Sequence, residues 1–127
     1  MPPHKTKATD PVRCYAESVL SGKQVAGRWV RLACQRHLDD LEHGRERGLK
    51  WEPKACQHVL DFFSYLRLPS VEGLDGQPFV LHPSQEFIVG SLFGWKGPDG
   101  HRRFRTAYIE IAKGGGKTAV AAAIGLY

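Results

Sequence analysis

Apolar residues recur at helical spacing along residues 28–43. They form one face of a 3.6-residue period, while polar and charged residues occupy most of the other face. The apolar positions are Val30, Ala33, Cys34, His37, Leu38 and Leu41, and the polar positions are Arg31, Gln35, Arg36, Asp39, Asp40 and Glu42. The pattern predicts an amphipathic helix that ends at the glycine-bounded run 44–48.

Two further helices are predicted on either side of this one. Asp10 is a good helix N-cap and Pro11 suits the first helical position, so a short helix is expected over 12–20, ending at Gly22. A third helix is expected over about 53–67. Its apolar residues at helical spacing are Ala55, Val59, Phe62, Phe63 and Leu66.

The pattern changes after residues 69–78, a stretch rich in turn formers that predicts a linker. A short extended segment is expected at 79–81, followed by a helix that opens at 82–84. The run Gly-Pro-Asp-Gly at 97–100 is a strong turn signal and predicts a hairpin with loose ends. Residues 106–111 are β-rich and mostly apolar, which predicts a buried strand.

The predicted strand, a glycine loop and an Ala-rich helix over 118–126 follow the order of a phosphate-binding loop. Glycines let backbone N–H groups point at phosphate oxygens, and a helix beginning near Gly116 offers free N–H groups to the same anion. Lys117 would supply a charge to the β- and γ-phosphates of ATP, and Thr118 would ligate Mg²⁺. The first glycine of the standard pattern is replaced by Ile111, so a glycine hinge between packed elements stays open as an alternative.

These elements predict an α/β fold class, in which a helical N-terminal segment is followed by the incomplete start of a P-loop NTPase parallel sheet. Four segments are expected. They are a disordered lead at 1–10, a helical segment at 11–68, a linker at 69–78 and the truncated start of an ATPase domain at 79–127.

Composition narrows the class of protein. The 127 residues carry 18 Lys and Arg against 13 Asp and Glu, a net charge of +5, which suits either a polyanionic partner or a solvated basic surface. The hydrophobic share of 42% is that of a globular chain. No apolar run is long enough for a membrane span or a secretory signal. Three widely spaced cysteines exclude a disulfide framework as the main organising device.

Several residue groups admit a functional interpretation beside a plainer one. A zinc site could in principle be built from Cys34, His37, Cys56 and His58, but packing in the core is favoured because the spacing fits no zinc module. His37 and Asp40 could imitate a base and its orienting group, yet no nucleophile is placed nearby. Trp29, Trp51 and Trp95 are expected to pack in the interior.

The run His-Arg-Arg-Phe-Arg at 101–105 is basic with one aromatic residue. Contact with a DNA backbone is one interpretation. A solvated flank of the hairpin near the nucleotide site is favoured over it.

Residues 109–118 resemble the variant Walker A segment of tailed-phage terminase large subunits. In that family the first glycine is commonly missing and a basic residue stands three positions before the last glycine, the place of Lys113 here. Other segments are similar to the family's N-terminal helical part, its adenine-side segment and the approach to the loop. These are residues 15–17, 21–23, 26–27 and 36–41, then 77–79 and 84–88, then 93–95 and 103–108.

The resemblance implies an ATP-driven DNA-packaging motor that uses ATP and Mg²⁺ and carries a nuclease in its C-terminal half. By position, Gly114, Gly115, Gly116 and Lys117 would bind phosphates and Thr118 would bind Mg²⁺. Lys113 would contact phosphate or stabilise transition-state charge, which is a catalytic role. Gln85 matches the glutamine that reads the adenine edge.

The family further implies double-stranded DNA, a terminase small subunit and a portal protein as partners, with a homo-oligomeric ring in the full-length protein. It implies the host cytoplasm as location and no membrane. The Walker B carboxylates and the nuclease cluster do not follow the loop in this sequence, so we expect weak ATP binding at best and no hydrolysis by this chain alone.

Two rival functions remain. One is a non-catalytic interaction module or prophage remnant, whose helices dock on a partner subunit or DNA while the loop is vestigial. The other is a different P-loop enzyme such as a small kinase, which the long helical stretch before the loop disfavours.

Overall fold

The computed structural model describes residues 10–67, 78–111 and 117–127. Its helices are α1 (Pro11–Leu20), α2 (Arg28–His43), α3 (Pro53–Ser64), α4 (Pro83–Gly94) and α5 (Lys117–Leu126), with a 3₁₀ turn at Gly44–Arg47. Two short strands are β1 (Lys50–Trp51) and β2 (Trp95–Lys96). Residues 1–9 of the predicted lead, most of the predicted linker and residues 112–116 of the glycine loop lie outside the described residues.

The helix boundaries follow the local signals of the sequence. The Asp10 carboxylate accepts hydrogen bonds from the N–H groups of Val12 (3.0 Å) and Arg13 (3.3 Å), as an N-cap does. Gly22 adopts a φ of +84° just after α1 ends, a conformation that glycine tolerates best. The starts and ends of α1 and α2 confirm the sequence prediction.

The third helix is shorter than predicted and ends at Ser64. The N–H groups of Tyr65 and Leu66 donate to the carbonyls of Phe62 and Phe63, each three residues back, which tightens and closes the last turn. Three residues beyond the end of α3, Arg67 forms an isolated antiparallel bridge with Pro78, so the chain is already extended where the sequence predicts a longer helix.

Helix α4 lies at the centre of the packing and contacts both α1 and α3. The crossing is close at Gly90, where an added Cβ would stand 2.4 Å from Val12 Cγ2 and 2.9 Å from Cys56 Sγ. Only a hydrogen atom fits there, so side chains of α1 and α3 pack directly on the backbone of α4 at this glycine.

Two apolar clusters fill the interior. The first joins α1, α2, α3 and α4 and consists of Val12, Tyr15, Ala16, Val19, Cys34, Cys56 and Phe87. The second packs α5 against α3 and α4 and consists of Val59, Phe63, Val89, Phe93, Val120 and Ala123. Because α5 directly follows the glycine loop in sequence, the second cluster positions the helix that begins immediately after that loop, at Lys117.

The described residues contain one sheet, a two-stranded antiparallel pair of β1 and β2. Lys50 pairs with Lys96 and Trp51 pairs with Trp95. The sequence does not predict β1, because two residues are too few to show a period. The turn at 97–100 is confirmed, since the Gly97 N–H donates to the His101 carbonyl at 2.8 Å.

The strand predicted at 106–111 is wrong for this structure. The segment at 79–81 is neither helix nor strand, and its Phe79 N–H donates to the Leu66 carbonyl at 3.0 Å. Neither stretch has strand structure, and the Tyr108 side chain is 88% exposed. An apolar segment becomes a strand only when neighbouring strands satisfy its backbone groups, and no described residue supplies such a neighbour to 106–111. The α/β mixture is therefore observed, while the parallel sheet is not found within the described residues.

None of the helices in the described part of the chain is long and apolar enough to cross a membrane.

Candidate functional site

The predicted phosphate site lies where α5 begins. Lys113, Gly114, Gly115 and Gly116 are outside the described residues, and Lys117 is the first residue of α5. Thr118 follows with an exposed side chain. The N-terminus of a helix presents backbone N–H groups that have no partner within the helix. Its position directly after the glycine loop therefore agrees with the predicted anion-binding arrangement.

The far end of α5 is held by aromatic contacts. The ring of Tyr127 lies 4.9 Å from that of Phe93 and 5.1 Å from that of Phe62, centroid to centroid. The Tyr127 hydroxyl also forms a hydrogen bond with Nδ1 of His58 on α3. These contacts and the apolar cluster beneath α5 give the helix a defined direction relative to α3 and α4.

Gln85, the candidate adenine-reading residue, lies in the first turn of α4 and is 8% exposed. Its Oε1 accepts a hydrogen bond from the backbone N–H of His82 at 2.9 Å, which satisfies a group that the helix leaves unpaired. The oxygen therefore has a structural task, and the amide NH₂ is the group that a nucleobase acceptor would use. The adenine contact itself stays a prediction.

A buried ion cluster holds the hairpin that leads toward the loop. Asp40 of α2 is 5% exposed, and its two carboxylate oxygens accept from Arg47 and Arg103, the latter at 2.7 Å. The helical period predicts Asp40 on the polar, outward face of α2, and this prediction is wrong because the side chain is buried. The two arginines come from later segments of the chain and cover a position that the helical period alone leaves outside.

Arg103 is mostly buried, so the predicted solvated flank at 101–105 is wrong for this residue. Its guanidinium lies 5.5 Å from the ring centroid of Trp95 and 4.8 Å from that of Phe104. Arg36 of α2 lies over the Phe104 ring at 5.1 Å. The hairpin is thus attached to α2 by a carboxylate and by cation–π contacts.

His37 lies beside this cluster among three aromatic rings, with ring centroids 5.0 Å from Trp51, 5.5 Å from Trp95 and 5.8 Å from Phe87. The indole N–H of Trp95 donates to His37 Nδ1 at 3.0 Å. Burial lowers the pKa of His37 to about 4, so the imidazole is neutral at pH 7 and carries its proton on Nε2.

The arrangement does not suit His37 for base catalysis. Nε2 is buried, with no hydrogen-bond partner among the described residues, and the Asp40 oxygens bond to arginines. His37 therefore packs as an aromatic residue, which confirms the plainer interpretation.

The cysteines also confirm the plainer interpretation. Cys34 and Cys56 are buried in the core, and burial raises their pKa values to about 11 and about 12. His58, the fourth residue of the zinc site considered above, is exposed and forms a hydrogen bond with the Tyr127 hydroxyl. No group of three or more metal-binding side chains occurs within residues 10–67, 78–111 and 117–127.

Of the three tryptophans expected in the interior, Trp95 is buried, Trp51 is partly buried against the first cluster, and Trp29 is not packed in the interior. Trp29 is 76% exposed near the start of α2. An aromatic residue at the first turn of a helix lies beyond the apolar stripe, so its large side chain alone is a poor indicator of burial.

Comparison with known proteins finds a similarity for the C-terminal part of the chain. Residues 83–127 match a family model of an ATPase domain, from the first residue of α4 through the hairpin, the glycine loop and α5. The family is the terminase large subunit, and the match confirms the resemblance seen in the sequence. No curated protein and no solved structure matches the chain.

Removal of the Asp40 charge should destabilise the fold strongly. In Asp40→Asn the mostly buried Arg103 loses its carboxylate partner, and we expect a loss of about 3 kcal/mol in the free energy of unfolding, measured by urea titration. Glu17→Gln is the matched control, because its pair with Arg13 is exposed at 2.9 Å. That variant should unfold at the wild-type urea concentration. Equal midpoints for both variants would contradict the assigned role.

Stability should fall in mild acid because of His37. Its pKa is lower in the folded state than in the unfolded chain, so the unfolded state binds a proton first as the pH drops from 6.5 toward 4. We expect about 3 kcal/mol of stability to disappear across this interval. His37→Asn keeps an acceptor for Trp95 and cannot titrate. Unfolding at pH 7 and pH 4.5 should therefore show a smaller acid loss in this variant, and an identical loss would refute the prediction.

Proposed function

We propose that this chain is the ATP-binding part of a terminase large subunit, the motor that couples ATP hydrolysis to DNA packaging in tailed phages. The observation that supports the proposal is the start of α5 at Lys117, directly after the glycine loop and inside the segment that matches the ATPase-domain family. The helix N-terminus and the loop lie next to each other in sequence, as phosphate binding requires.

The chain's own residues would bind the triphosphate. Backbone N–H groups at Gly114, Gly115 and Gly116 and the ammonium of Lys117 would contact the phosphates. Lys113 would add a second positive charge and stabilise charge that develops on the transferred phosphoryl group. The exposed hydroxyl at Thr118 suits a Mg²⁺ ligand, since hard cations prefer oxygen. Bound Mg²⁺ would neutralise part of the phosphate charge.

Gln85 would select the base. Its Oε1 is occupied by the His82 N–H, so its NH₂ group would donate to a ring nitrogen of adenine. Because the same hydrogen bond fixes the carboxamide at the start of α4, the donor would be held in one orientation before the nucleotide binds.

The proposed partners are those of a packaging machine. They are double-stranded DNA, a terminase small subunit, a portal protein and further copies of the large subunit in a ring, within the cytoplasm of a bacterial host. The net charge of +5 supports a polyanionic partner.

A non-catalytic interaction module is the second candidate. Its support is the group of exposed apolar side chains where α1 leads into α2, namely Val25 (91% exposed), Trp29 (76%) and Leu32 (49%). Clustered exposed apolar residues are frequent at protein interfaces, where Trp often contributes most of the affinity. In this function the helices would dock on a partner subunit and the loop would be vestigial.

The first test is binding of Mg²⁺-ATP to the full chain by calorimetry. We expect weak, saturable binding that becomes about ten- to a hundredfold weaker in Lys117→Ala, because a hydrogen bond to a charged group contributes about 1.5–3 kcal/mol. Lys23→Ala removes the same charge from an exposed loop and should bind like the wild type. If both variants bind equally, or if the wild type does not bind, the interaction module becomes the better account.

The second test concerns Gln85. Gln85→Glu keeps an oxygen for the His82 N–H and loses the NH₂ donor, so the helix start survives while adenine recognition fails. We expect ATP affinity to fall about tenfold relative to the affinity for inorganic triphosphate, which has no base. A general effect of the added charge would weaken both ligands alike. An unchanged ATP-to-triphosphate ratio would refute the assigned role.

A further inference from the structure

Three cationic side chains stand in a line across the outer face of the small sheet. Lys50 on β1 is the direct partner of Lys96 on β2, and Lys96 is in turn bridged to Arg102 on the returning arm of the hairpin. Directly opposed residues of antiparallel strands project to the same face. Lys50, Lys96 and Arg102 therefore form one row, called the cationic row below.

This row is unfavourable for the fold. Like charges directly opposite each other destabilise a strand pair, and adjacent strands lie only about 4.8 Å apart. No carboxylate relieves the repulsion, because none of the three side chains forms an ion pair with the described residues. Arg102 does lie over the ring of Phe93, at 5.2 Å, which positions its guanidinium without neutralising it.

Arg103, the next residue in the hairpin, is by contrast paired with a carboxylate and has a structural role. Arg103 follows Arg102 and bonds to the buried Asp40 on the inner face, where Trp51 and Trp95 also lie. Successive residues of an extended arm point to opposite faces. The inner face is thus charge-balanced and packed, whereas the outer face collects positive charge.

A pocket of about 540 Å³ extends the row along the hairpin. It is lined by Lys96, Gly100, His101, Arg102 and Arg105. Arg105 has a carboxylate nearby, since Asp99 contacts it at 3.3 Å, but that pair is exposed and weak. The lining contains no acidic residue, so the pocket favours an anion.

We propose that the cationic row and its pocket bind the phosphate backbone of duplex DNA without regard to sequence. The site is separate from the glycine loop and does not rest on ATP binding. Lysine and arginine in a line match a ligand that repeats its negative charge along an axis, as a nucleic-acid backbone does. The Phe93 ring is covered by Arg102 and only 8% exposed, so this ring offers no free face for stacking an unpaired base.

The test compares two triple variants of the full chain for binding to a fluorescent duplex at several salt concentrations. The row variant carries Lys50→Gln, Lys96→Gln and Arg102→Gln. The control variant carries Lys23→Gln, Arg31→Gln and Arg45→Gln, which removes the same charge from exposed positions elsewhere.

We expect the row variant to bind about tenfold or more weakly at 0.15 M salt, and its plot of log affinity against log salt to lose about 2–3 in slope. The control variant should keep most of both. The row variant should bind Mg²⁺-ATP like the wild type, because its three substitutions lie outside the glycine loop, so a failure of this proposal is distinguishable from a failure of ATP binding.

Several results would overturn the proposal. They are equal weakening of the row and control variants, absence of duplex binding by the wild type, and displacement of the duplex by inorganic phosphate at matched ionic strength. The last result would identify a site for free phosphate. Misfolding is excluded by thermal unfolding, because removal of opposed like charges should leave the row variant at least as stable as the wild type.

Discussion

The carboxylate of Asp40 is the constraint on which the C-terminal half of this structure depends. It is almost fully buried, so its desolvation is acceptable only while guanidinium groups bond to both oxygens. One of those groups, on Arg103, belongs to the hairpin, and the hairpin precedes the segment that enters the glycine loop. The contact therefore transmits the position of α2 to the approach of the loop, while the apolar cluster under α5 determines its exit.

The same contact explains why the hairpin has two chemically different faces. Trp51 and Trp95 pack around His37, and Arg103 bonds to Asp40 and lies over Trp95. The outward-pointing Lys50, Lys96 and Arg102 form no ion pair with the described residues. A two-residue strand pair has little intrinsic stability in water. Its inner face must therefore be attached to a rigid helix if its outer face is to present charges in a fixed line.

Much of the helical structure could be predicted from sequence, because caps, prolines and glycines act locally. Asp10 and Pro11 determine the start of α1, and Gly22 follows its end. Asp40 could not be placed, since its burial depends on Arg47 and Arg103 meeting it from distant positions. The stretch 106–111 has the composition of a strand, but a strand requires partners that composition does not reveal. Within the candidate site, the sequence predicts the start of α5 near Lys117. The cationic row could not be predicted, because it depends on the register of two strands that are too short to show a sequence pattern.

The close crossing at Gly90 has a chemical consequence for the cysteines. The Cys56 sulfur fills the space beside that glycine and is 3% exposed, so thiol reagents cannot reach it while the three helices stay together. Burial also raises the pKa of the thiol, which keeps it in the unreactive protonated form. Cys14 is exposed on the first helix and remains open to modification in the native state. The chain thus carries one thiol that reports the native surface and another whose labelling rate reports how often the helix crossing opens.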